Sequence, residues 1–294
     1  MTLSKLLIDI RNRLLQTLGD YTLADNEATL IIEQFLGIAK ERIYLDDSIR
    51  ISNDDIDRIN TIVERRQSGE PLQYIFGKTY FYDREFFVNT DVLIPRPDTE
   101  ILVDTVINTE KKRPATFIDI GTGSGILAAV LTAYCHDWTA VAIDISFKAL
   151  QTASRNINNR NLNNIYLICN DMLYAIKPEK RFDFIVSNPP YISSPQMKTL
   201  DKSVINYEPP LALNGGEDGL DYYRMISARA KMYLKDTGRI YLEIGFDQGE
   251  SVPRILRNDG WDDVSVVKDL AGRDRVVTAR VTTPDANRLH QRIP

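Results

Sequence analysis

A strand, a glycine-rich loop and an apolar helix follow one another between residues 115 and 134, and this unit constrains the fold more than any other stretch. Residues 115–120 form a short apolar run typical of a buried strand. The Gly-Thr-Gly-Ser-Gly run at 121–125 permits positive φ angles and a close approach of backbone to ligand. An apolar helix is predicted from Ile126 to about Tyr134. The unit indicates an α/β sheet that cradles a nucleotide-like ligand at the helix N-terminus, although a glycine turn can also serve packing alone.

The glycine spacing and the next two strands point to one class of cofactor. A dinucleotide fingerprint would place its third glycine at position 126, which is Ile126 here, so we expect S-adenosylmethionine rather than NAD. The second predicted strand ends in Asp144, whose carboxylate can accept hydrogen bonds from both ribose hydroxyls or can cap the next helix. After the third strand, Asp171 can bind an adenine amino group and Met172 can cover its ring. Asp171 can equally be a turn residue.

A fourth apolar run, residues 183–187, stops abruptly at Asn-Pro-Pro-Tyr. The two prolines carry no N–H and cannot continue a strand ladder, so the Asn188 carboxamide and the Pro189 carbonyl are expected to face outward beside Tyr191. A planar amino group, as in an amide or an adenine, offers two N–H donors and a π face, and this loop matches both. The tetrapeptide is also an ordinary turn signal, but it ends a strand of a predicted α/β sheet, where ligands bind.

The rest of the chain divides into segments of different pattern. Apolar residues at helical spacing predict a small helical bundle at 1–70. It contains no catalytic constellation, so we expect it to be a substrate-recognition domain. Two aromatic-rich runs predict a linker with a β-hairpin at 71–93. In the proline-stiffened loop that follows, Asp98 or Thr99 is expected to cap a helix or to belong to a loop that closes over a ligand.

The C-terminal pattern identifies the kind of sheet. The last two predicted strands are joined by a short connection and must be antiparallel, because a parallel pair needs a crossover. A mostly parallel sheet that ends in an antiparallel hairpin is typical of the Rossmann-like class I S-adenosylmethionine-dependent methyltransferases. We therefore predict an α/β methyltransferase domain at 94–281, followed by a polar tail at 282–294 that is expected to be disordered.

Composition limits the partners and the compartment. A net charge of −5 and a pI of about 5.3 argue against a general nucleic-acid binder, which needs a basic face. The two cysteines lack CxxC spacing, so neither disulfides nor a metal site is expected. No apolar run approaches the length of a membrane span, and the first residues lack a signal-peptide core. We expect a cytoplasmic protein without a membrane partner.

Several motifs occur together in one order, and the chain resembles the bacterial release factor glutamine methyltransferases, the PrmC or HemK family. The resemblance covers roughly residues 70–281 in register and the N-terminal domain in helical character. The matching blocks are residues 71–75 (PLQYI), 94–100 (IPRPDTE), 119–125 (DIGTGSG), 187–192 (SNPPYI), 208–209 (EP), 215–219 (GGEDG) and 269–275 (DLAGRDR).

This resemblance implies N5 methylation of the glutamine in the Gly-Gly-Gln motif of class I peptide chain release factors, with S-adenosylmethionine as donor. The family often has a bulkier aromatic residue at the position of Met172, which affects the stacking detail alone. The implied cofactor-binding residues are Gly121, Thr122, Gly123, Ser124, Gly125, Asp144, Asp171, Met172 and Asn188. The implied substrate-binding residues are Asn188, Pro189, Pro190 and Tyr191, of which Asn188, Pro189 and Tyr191 are the expected catalytic residues.

Two other functions remain open at this point. An amino-directed DNA or RNA adenine methyltransferase uses the same loop chemistry, but the acidic pI and the lack of a basic recognition domain oppose it, and no stable nucleic-acid binding is expected. A non-catalytic S-adenosylmethionine-dependent binding module is the third possibility. Methyl transfer to a protein, to DNA or to neither distinguishes the three.

Overall fold

The computed structural model describes residues 1–46, 48–111 and 113–281. The chain forms two compact units, the first spanning Met1–Gly77 and the second beginning at Lys78. The polar tail predicted at 282–294 lies outside the described residues. Within the described ranges, no helix combines the length and the apolar character needed to cross a membrane.

The first unit is built from helices whose apolar faces meet in one core. Leu6, Ile10 and Ile59 are fully buried there, and burying each such side chain contributes about 1.5–3 kcal/mol. Local signals set the ends: the Ser52 side chain accepts the N–H of Asp55, and Gly37 closes a helix in the left-handed conformation. Its helices are α1 (Leu3–Leu18), α2 (Tyr21–Leu36), α3 (Lys40–Leu45), α4 (Asn53–Gln67) and α5 (Leu72–Phe76), the last within the residues assigned to the linker.

The second unit contains a two-stranded hairpin and a seven-stranded sheet among its described residues. The strands are β1 (Lys78–Phe81), β2 (Arg84–Phe87), β3 (Thr116–Ile120), β4 (Thr139–Asp144), β5 (Ile165–Cys169), β6 (Phe182–Ser187), β7 (Leu234–Glu243), β8 (Asp262–Lys268) and β9 (Asp274–Arg280). The helices are α6 (Glu100–Glu110), α7 (Ile126–Tyr134), α8 (Phe147–Asn158), α9 (Ser194–Met197), α10 (Lys202–Tyr207), α11 (Asp221–Ala230) and α12 (Ser251–Asn258).

The strand order of the large sheet is β5-β4-β3-β6-β7-β9-β8. The pairs from β5 to β7 are parallel, whereas β9 runs antiparallel between β7 and β8. The predicted mostly parallel sheet with an antiparallel C-terminal hairpin is therefore confirmed. The order reverses between β3 and β6, and in open α/β sheets such a switch point is where ligands bind, at the carboxyl ends of the strands.

Both faces of the sheet are covered, which holds those strand ends in place. On one face Phe117 and Phe184 stack with ring centroids 4.7 Å apart, and Trp138 and Tyr241 pack edge-on against Phe184. The alternate residues of β3 and β6 face a second apolar cluster on the opposite side. A parallel sheet needs this cover on both faces, because its strands are apolar throughout.

Candidate active site

A cleft opens at the carboxyl ends of β3, β4, β5 and β6. It encloses about 1140 Å³, counting the solvent at its open mouth, which is ample for a nucleoside-sized ligand. Four chain segments form most of its wall: residues 120–124 after β3, 143–146 after β4, 170–172 after β5 and 187–190 after β6. The cleft thus lies at the switch point of the sheet and brings together loops that are far apart in sequence.

The glycine loop forms an open cradle at the start of α7. Gly121 and Gly123 have φ angles of +69° and +56°, and beyond the adjacent residues no described atom lies within 4 Å of a Cβ built on either. These two glycines therefore leave space on the side of the cleft. Gly125 differs, because a Cβ there would lie 3.0 Å from the Cβ of Ala153. The third glycine thus allows α8 to pack closely against the loop, and it does not lie among the described lining residues.

Asp119 supports this loop from below. One carboxyl oxygen, Oδ2, accepts hydrogen bonds from the Thr122 hydroxyl at 2.6 Å and from the Ala128 N–H at 3.2 Å. The other, Oδ1, is buried without a partner in the part of the chain that the structure describes. Burial raises the pKa of Asp119 to about 7, and the two hydrogen bonds oppose that increase. The carboxyl group fixes the turn without reaching the cleft.

Asp144 ties the glycine loop to the end of β4 and faces the cleft. Its two carboxyl oxygens accept the N–H groups of Gly123 at 2.8 Å and Ser146 at 2.9 Å. A carboxylate has about four acceptor positions, so capacity for hydroxyl donors remains. Burial raises the pKa of Asp144, and the backbone hydrogen bonds counteract this. The cap of α8 is the Ser146 side chain, which accepts the N–H of Ala149.

Residues 171 and 172 form the wall after β5. Asp171 is exposed, whereas Met172 is buried and has a φ of +49°, unusual for a residue with a side chain. The Asn170 side chain donates a hydrogen bond to the Met172 carbonyl at 3.2 Å and helps to hold this turn. Both Asp171 and Met172 line the cleft, as do Gly121, Thr122, Gly123, Ser124 and Asp144.

The Asn-Pro-Pro loop leaves β6 on the opposite wall. Asn188, Pro189 and Pro190 line the cleft, and Asn188 donates a hydrogen bond from Nδ2 to the Thr99 hydroxyl oxygen at 3.2 Å. The loop is held from behind, since a Cβ on Gly215 would lie 2.6 Å from the Pro190 carbonyl oxygen. Only glycine fits there, which accounts for the start of the 215–219 motif.

Two of the predicted site residues, Tyr191 and Gly125, are not among the described residues that line the cleft. The half-buried ring of Tyr191 packs against the second apolar cluster of the sheet. Burial, followed by the nearby Glu243 carboxyl, raises the pKa of Tyr191 to about 12, so the phenol stays neutral at physiological pH. Its expected role in substrate binding stays a prediction.

The expectation that Asp98 or Thr99 caps α6 is wrong. Residues 97–99 form a short 3₁₀ turn, which gives Thr99 helical φ and ψ angles, and its side chain makes no capping bond to the described backbone. A capping side chain needs an extended backbone at this position. Asp98 forms an ion pair with Arg275 at 2.9 Å, and Thr99 contacts Asn188. Thr99 therefore supports the wall of the cleft, and Asp98 connects this turn to β9.

Several residues that line the cleft were not predicted as site residues from the sequence. Arg96 lines the cleft and forms an ion pair at 2.5 Å with the buried Glu208, and Leu211 and Tyr222 are among the other residues of the wall. The signal for Arg96 and Glu208 was their presence in two of the quoted motif blocks. Leu211 and Tyr222 lie at positions that no chemistry in the sequence marks.

The chain matches two protein-family models. The Methyltransferase small domain model matches residues 97–207, and the PrmC N-terminal domain model matches residues 7–77. The release factor glutamine methyltransferase of Thermodesulfovibrio yellowstonii is 41% identical over 254 residues, covering 85% of this chain and 90% of the relative. That of Agrobacterium fabrum is 37% identical over 259 residues, covering 86% and 89%.

The fold also matches solved structures of more distant proteins. A methyltransferase from Pyrococcus furiosus is similar with a TM-score of 0.51 and 16% sequence identity, covering 76% of this chain and 98% of that one. At this level of identity the match concerns the fold alone.

Proposed function

The chain belongs to the release factor glutamine methyltransferase family, and on that premise we propose that it methylates N5 of the glutamine in the Gly-Gly-Gln motif of class I peptide chain release factors. The observation that carries the proposal is the pairing of two acceptors, the Asn188 carboxamide and the Pro189 carbonyl, with the open cradle across the cleft. A primary amide has two N–H donors, and the two acceptors match them.

The described residues fit S-adenosylmethionine, the cofactor of this enzyme class. The open space beside Gly121 and Gly123 suits the methionine part, because backbone can approach it closely at the start of α7. Asp144 keeps free acceptor positions for the ribose hydroxyls. Asp171 and Met172 offer an acceptor and an apolar surface for adenine. When bound, this cofactor supplies an electrophilic methyl group on a sulfonium.

The wall across from the cradle makes a poor nucleophile reactive by orientation. An amide nitrogen is weakly nucleophilic because its lone pair is delocalised into the carbonyl. Hydrogen bonds from both amide N–H groups to Asn188 Oδ1 and the Pro189 carbonyl would hold the nitrogen and direct its lone pair along the cleft. As the nitrogen gains its bond to the methyl carbon, the methyl–sulfur bond would break, and the nitrogen would carry a positive charge with both of its protons. This cationic N-methyl amide is strongly acidic and would lose one proton to water. Orientation and preorganised dipoles supply most of the rate enhancement.

The amide of Asn188 is already turned the right way for this role. Its Nδ2 donates to Thr99, so its Oδ1 lies on the side away from Thr99, where it can accept from the substrate. We expect Asn188→Ala to lower turnover by roughly a hundredfold or more, because small misplacements of a reacting group cost about that much. Affinity for S-adenosylmethionine should change little.

The test is transfer of radiolabelled methyl groups from S-adenosylmethionine to purified release factor. A factor with Gln→Ala in its Gly-Gly-Gln loop and a duplex rich in adenine are run beside it. Label on the unaltered factor alone, lost with Asn188→Ala and kept with a control change at the exposed Asn159, supports the proposal. Label on DNA would show that the Asn-Pro-Pro-Tyr loop binds adenine and would contradict the proposal. Label on neither substrate would contradict it as well and would favour a non-catalytic binding module.

A further inference from the structure

A buried carboxyl group lies behind the loop that presents Asn188. Glu243 is the last residue of β7 and is 1% exposed, and Thr99, also 1% exposed, lies between the start of α6 and the cleft. Polar contacts from Thr99 and Asn188 favour the charged form of the Glu243 carboxyl. Its Oε2 atom has no hydrogen-bond partner within the described ranges. A carboxyl group buried with an open oxygen is costly, so its place beside the site calls for a function.

The hydrogen bonds in this cluster have one direction. Asn188 Nδ2 is a donor, so the Thr99 hydroxyl oxygen must act as the acceptor of that bond. The hydrogen of the Thr99 hydroxyl then has to point elsewhere, and the Glu243 carboxylate is the acceptor that faces it. An ionised carboxylate has acceptor positions and no donor, which fixes the orientation of both neighbours.

We propose that Glu243 and Thr99 are positioning residues that keep the Asn188 carboxamide in the orientation with Oδ1 toward the cleft. The inference rests on the proposed function, since it assigns the reason why Asn188 presents an acceptor to a substrate amide. In the opposite orientation Nδ2 would face the cleft, and its two N–H groups would oppose the N–H groups of the substrate. The carboxamide shape is nearly symmetric, so its surroundings must select one orientation.

Other groups also face Glu243 and set its charge. Arg275 on β9 favours the ionised form, and Asp98 opposes it. Tyr191 and Tyr223 lie close enough to interact with the carboxyl, and burial raises the pKa of each phenol, so both are neutral. Burial is the largest influence and raises the pKa of Glu243 to about 7. The carboxyl therefore changes charge near physiological pH.

Protonation of Glu243 should reverse the direction of the hydrogen bonds that join Glu243, Thr99 and Asn188. A protonated carboxyl can donate to the Thr99 oxygen, which turns the Thr99 hydrogen toward Asn188. The carboxamide then satisfies that donor best by turning Oδ1 toward Thr99 and Nδ2 toward the cleft. Turnover should therefore fall as pH decreases through about 7 in the wild-type protein. The same titration should be absent from Glu243→Gln.

The first experiment compares kcat, KM and the affinity for S-adenosylmethionine in Thr99→Val, Thr99→Ser and Glu243→Gln. Thr99→Val removes the hydroxyl at nearly constant shape and should lower kcat about tenfold, whereas Thr99→Ser should stay within about threefold of wild type. Glu243→Gln should lower kcat by about tenfold or more and flatten its dependence on pH near 7. Cofactor affinity should be unchanged in all three.

A second experiment observes the carboxamide without turnover. In a ¹⁵N spectrum of the cofactor-free protein, the side-chain NH₂ signals of Asn188, assigned by their loss in Asn188→Ala, should shift with a midpoint near pH 7. The shift should vanish in Glu243→Gln. If wild type methylates release factor but Thr99→Val keeps its kcat, or the NH₂ signals ignore pH, the inference is overturned and the function stands. If wild type itself transfers no methyl group, the proposed function fails first.

Discussion

Replacement of Gly125 by alanine tests the packing argument for the glycine loop. Gly125 has a φ of +79°, and the left-handed conformation costs an alanine about 1–2 kcal/mol. The added Cβ would also lie 3.0 Å from the Cβ and 3.2 Å from the Cα of Ala153. Because one of these atoms is helix backbone, relief requires α8 to move, and such overpacking costs about 1–3 kcal/mol. We expect Gly125→Ala to lower the free energy of unfolding by about 2–5 kcal/mol.

Gly123→Ala is the matched control in the same loop. Its φ is +56°, but beyond the adjacent residues no described atom lies within 4 Å of the added Cβ, so the backbone cost of about 1–2 kcal/mol is the whole expected cost. That Cβ would project toward the cleft, which Gly123 lines and Gly125 does not. We therefore expect opposite rankings: Gly125→Ala loses more stability, and Gly123→Ala loses more affinity for S-adenosylmethionine.

The assay is urea unfolding of the cofactor-free variants, followed by tryptophan fluorescence. Both tryptophans, Trp138 and Trp261, are buried in the second unit, so the signal reports the unit that carries the change. Affinity for S-adenosylmethionine is measured separately by calorimetry. Equal losses of stability in the two variants, or a larger loss in Gly123→Ala, would refute the assignment of Gly125 to close packing against Ala153.

Three further perturbations have defined outcomes. Burial raises the pKa of Asp119 and of Glu243 to about 7, so between pH 4.5 and 7 the folded state binds more protons than the unfolded state. The free energy of unfolding should then decrease as pH rises through this window, and Asp119→Asn should flatten the curve measured by urea unfolding; an increase with pH would contradict the sign. Tyr241→Phe removes the 2.7 Å hydrogen bond to the buried Glu110 and should cost about 1–3 kcal/mol in the same assay. Asp144→Asn replaces one of two backbone acceptors by a donor and should weaken S-adenosylmethionine binding about tenfold or more by calorimetry, with unchanged affinity as the contrary result.

The fold class and the end of the sheet at which the cleft lies could both be predicted from short stretches of the sequence. The apolar runs, the glycine loop at 121–125 and the proline pair after Asn188 act on the backbone within a few residues, so their consequences are readable locally. A short connection between the last two strands requires an antiparallel pair, and the antiparallel pairing of β8 with β9 confirms it. Helix caps such as Ser52 and Ser146 also depend on a few neighbouring residues, because each side chain accepts an N–H only three positions further along the chain.

Which side chains contact the residues of the candidate site depends on the tertiary structure. Thr99 and Asn188 are 89 residues apart, and Arg96 and Glu208 are 112 apart, yet each pair is in contact. Local preference even misassigned Thr99, because a threonine before a helix is usually a cap. Partners of this kind depend on strand order and on the packing of loops at one edge of the sheet. Those are set by burial of the whole core, which no short stretch of sequence contains.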